Sequence, residues 1–421
     1  MTIFERYLIQ QNNQYITSLD EPGKGHSIFV VIPCYNEPDI ITTLNSLSRC
    51  TPPQTATTVL VVVNDADNSP QAAVAQNIST LESIANWQFN NTHSFFSVQR
   101  IYAHALPEKW AGVGWARKIG MDEVIKQIAN NNLTEGIIVS LDADSTVSSN
   151  YLISIETAFK DNLQFNFFLI NFEHPIGIDE LSTPLREGII RYELHMRYFR
   201  MAMEWSGYPH SIHTVGSSFA LKASAYVRQG GMNRRKAGED FYFLHKLVLL
   251  GHYGNINTAT VYPASRISDR VPFGTGAALK KWMDGGLELH STYSFEAFGH
   301  LKPFFLNSMN YWSMETDQIE ERLSILNTVL QLFCKNSQSL SQLIELKGNC
   351  SSAKVFQNRF FHLFNAFWIL KYLNFVHETS LKRGELKAES VKLLQSRGIQ
   401  ASLNQTFEKI LGIFRDLDKR I

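Results

Sequence analysis

Short runs of aliphatic and β-branched residues alternate with longer amphipathic stretches early in the chain, and this alternation limits the fold more than any other feature. The apolar runs lie at residues 27–32, 58–63, 95–103 and 136–141. The intervening helical patterns lie at residues 38–47, 72–87 and 114–129. Apolar runs without a polar face are typical of strands buried in a parallel sheet. Because strands and helices alternate, we predict an α/β fold with a mostly parallel central sheet and helices on both faces.

The pattern changes after residue 141. Further strands are predicted at residues 165–172, 219–221 and 259–262, and helices at 189–204 and 240–250. Beyond residue 276 the strand signal fades, and helical periodicity is found at residues 319–332, 353–376 and 386–415. A length of 421 residues allows two or three domains. We place the boundary near residue 273, between an α/β domain at residues 1–272 and a helical C-terminal region at residues 273–421.

The composition narrows the class of protein. The chain has 39 basic and 39 acidic residues, so its charge gives no reason to expect nucleic acid as a partner. Its four cysteines are widely spaced and form no CxxC pair, which fits neither a disulfide framework nor a zinc site. The first residues lack the segments of a signal peptide, and no apolar stretch approaches the roughly 20 residues of a membrane span. We therefore expect a cytoplasmic protein.

Two carboxylates follow the fourth apolar run, at Asp142 and Asp144. In open α/β sheets, ligands bind outside the carboxyl ends of the strands, and alternate residues of an extended segment point the same way. Both carboxylates can therefore face one ligand, and a hard cation such as Mg²⁺ or Mn²⁺, itself bound to substrate phosphates, would relieve their repulsion. An Asp-rich turn explains the same residues without a ligand.

The loops after the first two strands are also polar. Pro33, Tyr35, Asn36 and Glu37 end the first strand and open the next helix. Asn36 and Glu37 suit a helix N-terminus, and the same loop would lie beside a nucleotide if one binds at this edge. Asp65, after the second strand, could accept hydrogen bonds from a base or a ribose, or form part of a turn.

Gly114 and Arg117 lie at the start of the third predicted helix. A glycine permits close backbone approach, a helix N-terminus favours anions, and arginine adds a charge-assisted donor. The segment is not GxGxxG, and the chain has no GxxxxGK[ST] motif. These absences argue against NAD-dependent and P-loop chemistry.

Charged residues cluster again near the end of the α/β region. Glu239 and Asp240 open a predicted helix, where they could cap it. A carboxylate at the mouth of the sheet is also what a general base requires. Arg266 and Arg270 are either solvated loop charges or donors to a leaving diphosphate.

In this order the segments resemble the family 2 glycosyltransferases of the GT-A fold, of the bacterial, non-processive kind. The matching segments are VVIPCYNE at 30–37, VNDAD at 63–67, GVGWARKIG at 112–120, DAD at 142–144 and GED at 238–240. Three positions depart from the family pattern: Asn64 replaces a more usual acid, and Val113 and Lys118 replace Lys and Asn. No QxxRW motif or membrane helix follows, which excludes a processive synthase with a channel. The chain after residue 273 matches nothing in the family.

The resemblance implies transfer of a sugar from a nucleotide diphosphate sugar to an acceptor hydroxyl, with inversion in one displacement. Asp240, with Glu239 beside it, is then the base, and Asp144 and Asp142 hold Mn²⁺ or Mg²⁺. The strand-end loops, Gly114, Arg117, Arg266 and Arg270 bind the donor. Two alternatives stay open: an enzyme similar to the sugar nucleotidyltransferases, and a catalytically silent nucleotide-sugar-binding module of the same fold.

The acceptor is a carbohydrate, a lipid-linked compound or a small molecule on this interpretation. Trp205, Gly216 and Ser217 lie between the two acidic motifs, where the family places acceptor contacts. Trp205 could stack on a sugar or pack in a core. The segment at residues 356–375, rich in Phe, Trp and Leu, suits buried packing first, then a homodimer seam or peripheral contact with the inner face of a membrane.

Overall fold

The computed structural model describes residues 1–11, 26–91, 95–177, 181–233, 238–268, 270, 274–286 and 288–420. Its main sheet is formed by β1 (His26–Cys34), β2 (Ala56–Ala66), β3 (Phe96–Leu106), β4 (Ile137–Ser140), β5 (Thr146–Val147), β6 (Phe167–Phe172), β7 (Phe219–Lys222) and β8 (Tyr253–Tyr262). A small antiparallel pair is formed by β9 (Ser291–Thr292) and β10 (Gly384–Glu385).

The strand order of the main sheet is β3-β2-β1-β4-β7-β6-β8-β5. The four strands β3, β2, β1 and β4 run parallel to one another, and β6 is parallel to β8. The antiparallel pairings involve β7, between β4 and β6, and the short β5 at the edge beside β8. The predicted α/β fold with a mostly parallel sheet is therefore confirmed.

Helices occupy the intervals between the strands and most of the chain after β8. They are α1 (Ile3–Gln11), α2 (Ile40–Ser48), α3 (Gln71–Asn90), α4 (Val113–Asn130), α5 (Tyr151–Asp161), α6 (Thr183–Trp205), α7 (Ala223–Arg228), α8 (Glu239–Leu247), α9 (Thr275–Met283), α10 (Phe295–Leu306), α11 (Thr316–Ser324), α12 (Thr328–Asn336), α13 (Ser339–Gly348), α14 (Ala353–Leu363), α15 (Ala366–Thr379), α16 (Leu386–Ser396) and α17 (Phe407–Asp418). Short 3-10 turns lie at Val248–Leu250, Glu288–His290 and Asn310–Trp312.

Strand β1, inside the parallel half of the sheet, is covered on both faces. Every residue of β1 from Ile28 to Cys34 is buried, although successive side chains point to opposite faces. On one of these faces α4 approaches closely, because a Cβ at Gly120 would lie 2.5 Å from Cγ1 of Val31 and 2.9 Å from Cγ2 of Val62. The glycine therefore sets the distance between α4 and the sheet.

The chain forms two compact units. The first comprises Met1–Ile189, Thr214–Lys281 and Leu417–Ile421, and it contains the main sheet. The second comprises Ile190–His213 and Trp282–Asp416, and it is mostly helical. The helical C-terminal region predicted from the sequence is confirmed, whereas the domain boundary near residue 273 stays a prediction.

The helical stretches of the second unit are shorter than their periodicity indicates. Each of the three predicted stretches divides into two helices. The first two divide where an asparagine side chain caps a new helix: Asn327 accepts from the amide of Val329, and Asn365 accepts from the amides of Phe367 and Trp368. Asparagine favours such caps because its side-chain oxygen binds amides that have no partner inside the helix.

The aromatic segment at residues 356–375 lies largely inside the second unit. Phe356, Phe360 and Trp368 are buried, and the Trp368 ring stacks on Phe304 with their centroids 5.3 Å apart. Packing therefore accounts for the apolar composition of this segment. Contacts with a second copy or a membrane stay predictions.

Within the described residues, no helix has both the length and the apolar character needed to cross a membrane.

Candidate active site

Several predicted site residues of the first unit lie at or just after the carboxyl ends of neighbouring parallel strands. In the sheet register, Val31 of β1 is opposite Leu60 of β2 and Ser140 of β4. The polar segments that follow these three strands therefore emerge at the same edge of the sheet. This edge carries two groups of polar side chains, one in the segments after β1 and β4 and the other in the last residues of β2 and β3.

The first group is built around Glu37. Its side chain is fully buried and accepts hydrogen bonds from the guanidinium groups of Arg266 and Arg270. The same two guanidinium groups donate to Oδ2 of Asp144, at 3.0 and 3.1 Å. Burial alone would raise the pKa of Glu37, but the arginines hold this pKa below its usual range. The two arginines thus join the loop after β1 to the second acid of the Asp-X-Asp motif.

Arg117 occupies the centre of a neighbouring ion network. It lies in α4 near the N-terminus of the helix, is almost fully buried, and donates to the carboxylates of Asp142 and Glu239. Its Nε has no hydrogen-bond partner among the described residues. Gly216, predicted on the acceptor side, packs against this group, since a Cβ there would lie 2.6 Å from a guanidinium nitrogen. Arg117 therefore holds two carboxylates in place rather than projecting freely toward a phosphate.

Glu239 and Asp240 have different environments in the first turn of α8. Glu239 is buried against Arg117, whereas Asp240 is half-buried and accepts from the amide of Phe241 at 2.7 Å. Burial raises the pKa of Glu239 to about 7, against the lowering effect of Arg117, and also raises the pKa of Asp240. None of the described residues donates a hydrogen bond to the other oxygen of Asp240, Oδ2. Asp240 therefore has a carboxylate oxygen left for a ligand, and its carboxylate, unlike those of Asp142 and Asp144, is bonded to no arginine among the described residues.

The Glu37 network and the Arg117 network together contain more acidic than basic side chains. They contain the five carboxylates of Glu37, Asp142, Asp144, Glu239 and Asp240, and the three guanidinium groups of Arg117, Arg266 and Arg270. When all five acids are ionised, five negative and three positive charges leave two negative charges. In agreement with this excess, burial and then the charge of Asp142 raise the pKa of Asp144.

The second group is built around Asp65. Its carboxylate is fully buried and accepts from Tyr102 Oη at 2.7 Å, His104 Nδ1 at 2.8 Å, the Ala105 amide at 2.8 Å and Asn77 Nδ2 at 3.2 Å. Burial would raise its pKa, but the hydrogen bonds lower it. The residue predicted to contact a base or ribose is thus enclosed by protein donors, and the side chain of His104 beside it is exposed.

Asn77 of α3 connects the two groups. Its Oδ1 accepts from the Asn36 amide at 2.9 Å, and its Nδ2 also donates to the Asn64 carbonyl at 3.0 Å. Asn36 has a φ of 49°, a left-handed conformation that asparagine tolerates. Sequence reasoning missed Asn77, Tyr102 and His104. The only local signal was the pair of polar side chains two residues apart at the end of β3.

The remaining predicted residues lie at these networks or in the second unit. Pro33 is buried near the end of β1, and the Tyr35 carbonyl lies 3.5 Å from Nη1 of Arg270. Gly114 is buried in the first turn of α4, and Ser217 is buried with no partner for its Oγ among the described residues. Trp205 belongs to the second unit.

The environment of Trp205 is formed by neighbours within its own unit. Its ring centroid lies 4.4 Å from that of Phe295 and 3.7 Å from Nζ of Lys302. These contacts give the indole a packing role in the second unit.

Comparison with known proteins finds no matching family model and no matching curated protein. Solved structures of S. aureus TarS show a remote likeness. TarS 1–349 in complex with UDP-GlcNAc is 14% identical, with a TM-score of 0.39, over 91% of this chain and 95% of that one. TarS 1–349 in complex with UDP is 13% identical, with a TM-score of 0.37, over 90% and 94%.

A longer TarS structure is 14% identical with a TM-score of 0.37, over 75% of this chain and 53% of that chain. The present chain therefore spans about half the length of that protein. Similarity at this level does not assign a function to the present chain.

Proposed function

We propose that this protein is a glycosyltransferase that moves a sugar from a nucleotide diphosphate sugar to an acceptor hydroxyl. The proposal rests on one observation. Asp240 is a half-buried aspartate whose second carboxylate oxygen has no partner among the described residues, and it directly follows Glu239, which shares the guanidinium group of Arg117 with Asp142. Asp144, two residues after Asp142, binds both Arg266 and Arg270. Such an edge combines a base with groups that suit a diphosphate. The acceptor belongs to the carbohydrates, lipid-linked compounds or small molecules.

A divalent cation fits this site on chemical grounds. The two unbalanced negative charges and the oxygen ligands of Asp142 and Asp144 suit Mg²⁺ or Mn²⁺, which commonly bind through one or two carboxylates together with substrate phosphates. The described residues contain no group of three or more His, Cys, Asp or Glu side chains that could form a metal site by themselves. When bound to Asp144 and Asp142, the cation would neutralise charge on the diphosphate.

The arginines and Asp240 would then perform distinct tasks. Arg266 and Arg270 are partly exposed, and their guanidinium groups suit phosphate oxygens. Asp240 accepts the proton of the acceptor hydroxyl while the hydroxyl oxygen attacks the anomeric carbon. The new carbon–oxygen bond forms while the bond to the diphosphate breaks, so one displacement inverts the carbon. Arg117 positions Glu239, the residue before the base.

The direct test is release of nucleoside diphosphate from a panel of UDP-, GDP- and dTDP-sugars, with Mn²⁺ or with EDTA. We expect slow release by the unchanged protein with Mn²⁺ and a loss of release with EDTA. Asp240→Asn should lower turnover by about 10²–10⁴-fold and leave donor binding measured by calorimetry intact, because the base acts in the transition state. Asp161→Asn, at an exposed position in the same unit, is the matched control.

Full turnover by Asp240→Asn would remove the base assignment. Pyrophosphate release from a nucleoside triphosphate and a sugar phosphate would indicate the nucleotidyltransferase alternative. Nucleotide-sugar binding without any turnover would indicate the silent binding module.

A further inference from the structure

His104 lies at the carboxyl end of β3 with 55% of its side chain exposed, beside a carboxylate that is fully buried. Asp65 accepts four hydrogen bonds from protein donors, one of them from Nδ1 of His104 at 2.8 Å. A carboxylate with this number of donors and no exposure has no room for a ligand. A ligand that binds here would therefore contact the exposed imidazole of His104 and not the Asp65 carboxylate.

The hydrogen bond also determines which nitrogen of the ring is available. An ionised carboxylate only accepts hydrogen bonds, so Nδ1 of His104 carries the proton. In the neutral ring, Nε2 is then an acceptor. The Tyr102 ring backs the imidazole, with the ring centroids 5.0 Å apart and tilted by 34°. Nε2 of His104 is thus a hydrogen-bond acceptor with a fixed orientation on an exposed side chain.

The residue after His104 is in an unusual conformation. Ala105 has a φ of 52°, which non-glycine residues rarely adopt, and its amide donates to the same Asp65 carboxylate. Backbone strain of this kind persists only where neighbouring groups enforce it, and it is concentrated at functional sites. Ala105 is exposed and adds only a methyl group beside the imidazole, so it leaves the His104 ring accessible.

Hydrogen bonds connect the Asp65–His104 pair to the proposed diphosphate site. Asn77 bonds both Asp65 and the Asn36 amide, and Asn36 precedes Glu37 of the arginine network. The strands β3 and β1 are separated only by β2, which corresponds to about 10 Å along the sheet. The nucleoside part of a nucleotide sugar can extend over such a distance from its diphosphate.

We propose that His104 contacts the nucleoside of the donor through Nε2, accepting from a base N–H or a ribose hydroxyl, and that Asp65 is its positioning residue. The inference rests on the proposed function. It assigns the nucleoside contact to a residue on β3 and gives the buried carboxylate near the end of β2 an indirect role.

The test is calorimetric binding of UDP, GDP and dTDP, with inorganic pyrophosphate as a probe that lacks a nucleoside. We expect His104→Ala to weaken binding of the preferred nucleotide by roughly tenfold, about the value of one hydrogen bond, and to leave pyrophosphate binding unchanged. Asp65→Asn should show the same selectivity. His252→Ala removes another exposed histidine of this unit, also at positive φ, and is the matched control.

Nucleotide analogues identify the group that is recognised. If the base N–H is bound, methylation of that nitrogen weakens binding to the unchanged protein and not to His104→Ala. If a ribose hydroxyl is bound, removal of that hydroxyl in a deoxy analogue weakens binding to the unchanged protein and not to His104→Ala. Equal nucleotide affinity of His104→Ala and the unchanged protein would overturn the inference alone. Absence of nucleotide binding by the unchanged protein would overturn the proposed function as well.

Discussion

Arg117 controls the ionisation of the acids at the start of α8. Burial raises the pKa values of Glu239 and Asp240, and the charge of Arg117 opposes that rise at both residues. A base acts only when it is ionised, so turnover should fall as the pH drops. Because the pKa of Asp240 is raised, this fall should begin above the ordinary aspartate value of about 3.9.

Replacing Arg117 tests this coupling at the level of a single side chain. Arg117→Gln removes the charge that favours ionised Asp240, so the acid limb of the pH–rate profile should move to higher pH. Arg117→Lys keeps the charge and is the matched comparison. The measurement is kcat for nucleoside diphosphate release against pH. Superimposable acid limbs for the two variants would contradict a base whose ionisation depends on Arg117.

Among the helices, the placement of α4 depends on Gly120. The N-terminal part of this helix carries Arg117, so its distance from the sheet affects the site directly. A side chain at Gly120 would meet Val31 and Val62, which are buried in adjacent strands and cannot move far. Overpacking of this kind typically costs about 1–3 kcal/mol.

Gly120→Ala should therefore lower the free energy of unfolding by about 1–3 kcal/mol, measured from the urea midpoint. Gly299→Ala is the control, because Gly299 lies in α10 and a Cβ added there would meet no neighbouring group within 4 Å. Alanine there should be neutral or stabilise the helix by up to about 1 kcal/mol. Equal effects of the two substitutions would show that α4 does not depend on close approach to the sheet.

Considered as a whole, the molecule has a chain that passes between its two units more than once. It enters the second unit at Ile190–His213 and then returns to the first unit at Thr214–Lys281, which carries β7 and β8. Within the second unit, Tyr198 of α6 donates to the Tyr293 carbonyl at 2.8 Å and packs on Phe298. The C-terminal part of α6 is therefore held by residues that follow it by about a hundred positions.

A fragment of residues 1–272 should fold poorly for this reason, although the sequence places a domain boundary there. The fragment keeps α6 but lacks Tyr293, Phe298 and Arg415, and Arg415 pairs with the fully buried Glu193. Apolar surface and a buried charge then lose their partners, so we expect aggregation or binding of a hydrophobic dye by the purified fragment. A soluble monomer with a cooperative unfolding transition would support the boundary near residue 273 and contradict this expectation.

Local patterns predicted much of the sheet and of its polar edge. The runs that form β1, β2 and β4 are apolar and bounded by loop residues, so their ends could be placed within a few residues. The lengths of the C-terminal helices could not, because Asn327 and Asn365 start new helices inside a continuous apolar periodicity. Periodicity reports which residues face a core, and it does not show where a cap interrupts the helix.

Strand direction and side-chain alternation are local properties, so the amino-acid pattern was enough to predict that Glu37, Asp65, Asp142 and Asp144 would lie at one edge of a parallel sheet. Which of these acids are enclosed and which are open depended on the folded unit. Asp65 is enclosed by residues up to 40 positions away, and Glu37 by arginines 229 and 233 positions away. Partners at such separations are brought together by packing of the whole unit, which no local pattern records.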